Sequence, residues 1–143
     1  MIMQFHAPDG PIVENPNIET LRTNMIDNFP DYWYQGSGDA MICCYNDDKL
    51  ESTILIFPSE EHGIYLRYLT QENGRVKANW VSMENTSNLA TLTECSDEWY
   101  VSVGLFMPLE KAWSGIKYYL ETGERSPEID WIRPSELPDE SNW

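Results

Sequence analysis

The chain has 143 residues, 41% of them hydrophobic and 13% aromatic, and its 24 acidic and 9 basic side chains leave a formal net charge of -15. That length fits one domain able to bury roughly two-thirds of its unfolded surface, and the aromatic content excludes a plain disordered acidic chain. A field of this sign repels nucleic acid and anionic membranes and attracts basic partners at long range; acidity that only maintains solubility explains the charge, taken alone, equally well.

The first ten residues, MIMQFHAPDG, show no basic region followed by an apolar run of signal-peptide length. Nor does the chain contain about 18 apolar residues in succession. A cytoplasmic location is expected. Residues 1–6 read as a short strand, followed by a loop marked by Pro8, Gly10, Pro11 and Pro16. Asn17 is a good N-cap for a helix whose apolar stripe is Ile18, Leu21, Met25, Ile26 and Phe29, ending before Pro30. An aromatic, glycine-containing loop, PDYWYQGSGD, comes next. Strands are expected at about 40–45, 53–57 and 64–71, and the second, TILIF, is apolar on both faces and so central in a sheet. Alternation sends Cys43 and Cys44 to opposite faces of their strand. Together with Cys95 they make an odd count that fits reduced thiols rather than a disulfide framework.

Asn73-Gly74 is a strong signal for a two-residue hairpin turn into a strand at about 75–83, a pairing that sets Arg67 opposite Trp80. Residues 84–96 read as a long connection. The stretch EWYVSVGLF then places Trp99, Val101, Val103 and Leu105 on one face of a strand. After Pro108, the spacing of Leu109, Ala112, Trp113, Ile116, Tyr119 and Leu120 predicts a second helix, with Thr122-Gly123 as its left-handed stop. Ile129 and Trp131 then alternate with Glu128 and Asp130, and Pro127 and Pro134 bracket this strand as a sheet edge. The expected architecture is an α+β domain over residues 1–143: a mostly antiparallel sheet with two helices packed on one face, and a loosely held acidic tail from about 134.

Catalytic patterns are sparse. His6 falls in the first strand and His62 beside Gly63, and neither sits in a CxxC, HxxxH or HExxH spacing, so no metal or other cofactor is expected. Gly36-Ser37-Gly38 lacks the lysine, strand and helix of a phosphate loop. Paired acids in polar loops read as solvated surface. An enzyme of the small hydrolase or transferase class, using acidic residues with His62, remains the alternative from another functional class. The loop Tyr32, Trp33, Tyr34 is the most site-like feature; folding back over the core is the preferred reading, interface anchoring the other.

The segment MPLEKAWSGIKYYLETGERSPEIDWI resembles immunity protein family 1 of bacterial polymorphic-toxin systems, in which a proline-led helix ends in a Thr-Gly turn and runs into a tryptophan strand. The residues that carry the resemblance are Pro108, Ala112, Tyr119, Leu120, Thr122, Gly123, Pro127, Ile129 and Trp131; GIYLRYL and VSVGLFMPLEKA are similar to the strands that precede them. The N-terminal helix fits by position only, and NFPDYW faintly resembles a second immunity superfamily, typified by the yeast cell-wall regulator Smi. These are packing motifs, so the resemblance implies scaffold roles for Trp131 and Ile129. It also implies a non-enzymatic antidote that binds a cognate toxin protein, commonly a nuclease or nucleic-acid deaminase, and occludes its active site. Such a partner is expected to be basic, with the chain a monomer or weak homodimer when free and without affinity for nucleic acid or membrane. From charge and expected exposure, the candidates for partner contact are Asp31, Asp39, Asp47, Asp48, Glu60 and Glu61, with Tyr32, Trp33 and Tyr34.

Overall fold

A computed structural model describes residues 1–95 and 99–143. The chain forms β1 (Ile2–His6), β2 (Ile12–Glu14), α1 (Ile18–Arg22), β3 (Ala40–Asn46), β4 (Lys49–Ser59), β5 (Gly63–Glu72) and β6 (Arg75–Ser82). It continues with β7 (Leu92–Glu94), β8 (Tyr100–Ser102), α2 (Leu109–Thr122) and β9 (Trp131–Ile132). Seven strands make one sheet in the order β2-β1-β3-β4-β5-β6-β9, antiparallel at every pairing. The architecture is thus α+β, a mostly antiparallel sheet plus two helices, and β4, with its doubly apolar TILIF run, is the central strand.

Alternation along β4 divides the core. Ile54 and Ile56 join the helices, Met3, Phe5, Ile42, Leu66 and Tyr68 in one cluster, whereas Phe57, with half-buried Leu55, joins Tyr65, Val81, Val101, Leu105 and Phe106 on the opposite face. Both cysteines of β3 are buried. Cys44 belongs to the helix-side cluster, and Cys43, on the other face, accepts a hydrogen bond from the Thr53 hydroxyl at 3.8 Å.

α1 begins where Asn17 caps it, its side chain accepting from the Thr20 amide at 2.9 Å. It passes into a π-helical turn, Thr23–Asp27, that keeps Met25 and Ile26 buried in line with Leu21. α2 buries Ala112, Trp113, Ile116, Tyr119 and Leu120 and stops at Gly123, whose φ of 74° no β-carbon opposes. That stop is tied to the sheet by hydroxyls: Ser52 and Tyr68 both donate to the Gly123 carbonyl, at 3.0 and 3.2 Å, while the Tyr119 hydroxyl lies 3.0 Å from the Ser52 hydroxyl. Burial pushes the Tyr119 phenol well above its ordinary range, so it stays a neutral partner. The other motif residues also have packing or capping roles. Pro108 precedes the first turn, Thr122 donates to the Tyr118 carbonyl at 2.7 Å, Ile129 is buried beside Gly115, and half-buried Trp131 donates from its indole to the Ser126 carbonyl at 2.9 Å.

Four expectations change. Arg67 faces Val81, and Tyr68 faces Trp80, because the ladder shifts by one residue between Thr70 and Gln71 and leaves Lys77 as an extra residue. The loop after β1 contains the edge strand β2, whose Ile12 and Val13 are exposed and so lack the alternation that marks a half-buried strand. The run expected as one strand from 99 to 105 is only β8 followed by a 3-10 turn, Val103–Leu105, and β8 pairs with β7 in a separate two-stranded sheet. That unit covers the face of the main sheet that α1 and α2 leave open. The strand expected to carry both Ile129 and Trp131 is only β9, with Ile129 in the turn before it; beyond it the Asn142 amide donates to the Ser102 hydroxyl at 2.9 Å, the Ser102 amide donates to the Asn142 carbonyl at 2.9 Å, and Leu137 packs on the second cluster. Among the described residues, no helix is long and apolar enough to cross a membrane.

Candidate interaction surface

Antiparallel topology sorts the candidate acids into two groups. Asp39 precedes β3 and Glu60 and Glu61 follow β4, so they share one end of the sheet. Asp47 and Asp48 form the β3–β4 turn at the other end, a strand length away, on the order of 20 Å. That turn joins the Asn46–Lys49 pair through two residues with φ of 51° and 62°, the left-handed geometry that aspartate tolerates better than most residues. Turn chemistry accounts for the Asp47-Asp48 pair without a partner.

At the first end, the aromatic loop splits. Trp33 is core, 3% exposed, with its indole donating to the Met25 carbonyl at 3.2 Å. Tyr32 is half-buried and meets Trp33 edge-on at 5.4 Å, and burial followed by the charge of Asp9 raises its phenol. Tyr34 is 63% exposed and donates from its hydroxyl to Glu60 at 2.5 Å. The loop owes this placement to a close backbone approach. At Gly36 φ is 53°, a β-carbon would lie 1.8 Å from the Pro8 carbonyl oxygen, and the Ser37 amide donates to that oxygen at 2.9 Å. Gly36-Ser37-Gly38 is therefore a docking turn.

Three hollows adjoin the loop. One, of about 330 Å³, lies between Trp33, Tyr34, Pro58, Glu60, Glu94 and Cys95. A second, about 540 Å³, follows the loop from Trp33 to Asp39, and a third, about 340 Å³, contains His6, Ser37, Asp39 and Phe57. Among the described residues lining them there are acids, Asp39, Glu60 and Glu94, and no lysine or arginine. The local field is thus negative. The hydrogen bond to Glu60, then burial, then the charges of Glu60 and Asp31 push the Tyr34 phenol up to about 12. Burial, reinforced by Asp39, pushes the Cys95 thiol up to about 12, and burial raises Cys43 and Cys44. None of these thiols has the lowered pKa of a reactive cysteine.

The two histidines have different neighbours. His62 is 3.7 Å from Glu61 and tilts toward Phe106, with ring centroids 6.4 Å apart. His6 shares its hollow with Ser37 and Asp39, but the Ser37 hydroxyl donates to the Asp39 carboxylate at 2.8 Å. Nucleophile activation places the histidine between hydroxyl and carboxylate, which this order does not do. Among the described residues, no three His, Cys, Asp or Glu side chains converge as metal ligands.

Sequence reasoning missed Glu94 and Pro58 as neighbours of the aromatic loop. Both arrive through long-range packing, and neither carries a local pattern that announces it. No family model, curated protein or solved structure matches the chain.

Proposed function

We propose that the protein is a cytoplasmic immunity protein, a non-enzymatic antidote that binds a cognate basic toxin domain, a nuclease or nucleic-acid deaminase, and occludes its active site. The observation that carries this reading is Tyr34. It is an exposed aromatic held by Glu60 at the mouth of hollows whose described charged groups are all acidic. An exposed tyrosine buries much area at low entropy cost, and carboxylates around it accept the lysines and arginines with which a toxin grips a polyanion. The net charge of -15 adds long-range steering toward such a groove. The motif around Pro108 and Trp131 supplies scaffold under the resemblance and takes no part in contact.

The test is co-expression with the toxin domain encoded beside the gene. Cells producing both proteins should grow, and Tyr34→Ala combined with Glu60→Lys should abolish protection while leaving the thermal melt near wild type. Toxin-induced death despite abundant, folded wild-type protein would refute the reading, and protection undiminished in the double variant would move contact away from Tyr34.

A further inference from the structure

The chain's few cations are unevenly placed. Of its nine basic residues, Arg67, Lys77, Arg125 and Arg133 gather at the β6–β9 edge, away from the acidic hollows. Three of these four make no ion pair with a described residue in a chain carrying 24 acids; Lys77 alone is paired, to Glu72 at 2.9 Å. Instead they lie over rings: Arg67 over Trp143 at 4.9 Å, and Arg125 and Arg133 over Trp80 at 3.9 and 4.9 Å. A guanidinium held by its face keeps its N–H edge available.

Of these, Lys77 and Arg133 line a hollow of about 480 Å³ between β6 and the tail, together with Asn79, Ser135 and Trp143. None of the side chains of the described residues lining it is acidic. Beside it, on the face of the sheet that Asn79 shares, the buried Nε of Arg67 has no hydrogen-bond partner. Buried polar atoms are ordinarily satisfied, and an arginine drawn under a tryptophan ordinarily has a counter-charge. We propose that this hollow binds the phosphate group of a small molecule, with Arg133 and Lys77 supplying charge-assisted donors, Trp143 forming a flat wall, and Arg67, stacked on the Trp143 ring, supplying further positive charge. The volume lies in the range of small-ligand sites. The overall charge of -15 opposes a polyanion, so the phosphate belongs to a small molecule. The site is separate from the Tyr34 surface and does not depend on the toxin reading.

Inorganic phosphate, adenosine monophosphate and adenosine are titrated into the full chain by heteronuclear NMR. Both phosphate compounds should shift the backbone signals of residues 77–79 and the Trp143 indole signal, and adenosine should not. Equal affinity for the two identifies free phosphate as the ligand, whereas tighter binding of the nucleotide shows that Trp143 stacks on a ring. Arg133→Gln, at an exposed position, should weaken binding about tenfold or more, the loss of one charge-assisted hydrogen bond, with an unchanged melt. No shift at millimolar phosphate, equal shifts with adenosine, or unchanged affinity in Arg133→Gln would each overturn the proposal.

Discussion

Three consecutive aromatics have three different environments. Trp33 is fixed in the core by its indole, Tyr32 is half-buried against it, and Tyr34 projects outward onto Glu60. Tyr34 ordinarily ionises near 10.0, and the Glu60 carboxylate holds its proton up to about 12. Because the folded value is the higher one, the bond's contribution to stability is complete below the ordinary phenol range and is lost as pH rises through about 12. Glu60→Gln should return the Tyr34 titration toward its ordinary value. The comparison is phenolate absorbance of this variant and of Tyr34→Phe against wild type; an unmoved curve would show that Glu60 does not hold the phenol. At so exposed a position solvent screens the interaction, so the shift bears on recognition chemistry more than on stability.

At the scale of elements, β9 is two residues long and sits at the sheet edge, yet it closes the C-terminal motif. Val81 and Ser82 pair with Ile132 and Trp131, and Trp131 packs 6.3 Å from the Tyr68 ring while its indole bonds Ser126. Trp131→Ala removes an aromatic that is only partly covered, so the loss should fall near the low end of the ~3–5 kcal/mol typical of buried aromatics. Chemical denaturation should show a lower midpoint with binding to a partner retained by the folded fraction. A wild-type midpoint with lost binding would instead place Trp131 in the interface. The β3–β4 turn gives the converse lesson: Asp47 and Asp48 are exposed acids whose positive φ values suffice to explain them.

Across the whole molecule the net charge is -15; Asp39, Glu60 and Glu94 line the hollows around Tyr34, and stacked arginines collect at the β6–β9 edge. A basic partner steered by this field should associate with wild type at a rate that falls steeply with added salt. Glu60→Lys with Glu61→Lys should slow association more than Asp47→Lys with Asp48→Lys, because only the first pair adjoins the proposed contact. Stopped-flow rates across a salt series measure both effects. A salt-independent rate would reduce the charge to a solubility device, and equal slowing by the two pairs would deny the acidic end any special place.

Sequence alone determined what depends on neighbours in the chain. The capped start of α1 at Asn17, the Gly123 stop of α2, the Asn73-Gly74 turn and the doubly apolar centre of β4 each follow from local backbone preference or from the period of apolar residues. Tertiary structure decided what those periods do not encode. The bulge that moved Arg67 from Trp80 to Val81 changes register without disturbing the turn, and β2, with exposed Ile12 and Val13, exists because β1 offers it a pairing edge. Which of three adjacent aromatics faces solvent, and which acids share an end of the sheet, was set by contacts such as Gly36 against Pro8 and Tyr34 with Glu60. The stretches these contacts join lie more than twenty residues apart in the chain, and a local pattern carries no information about which distant backbone or carboxylate will arrive beside it.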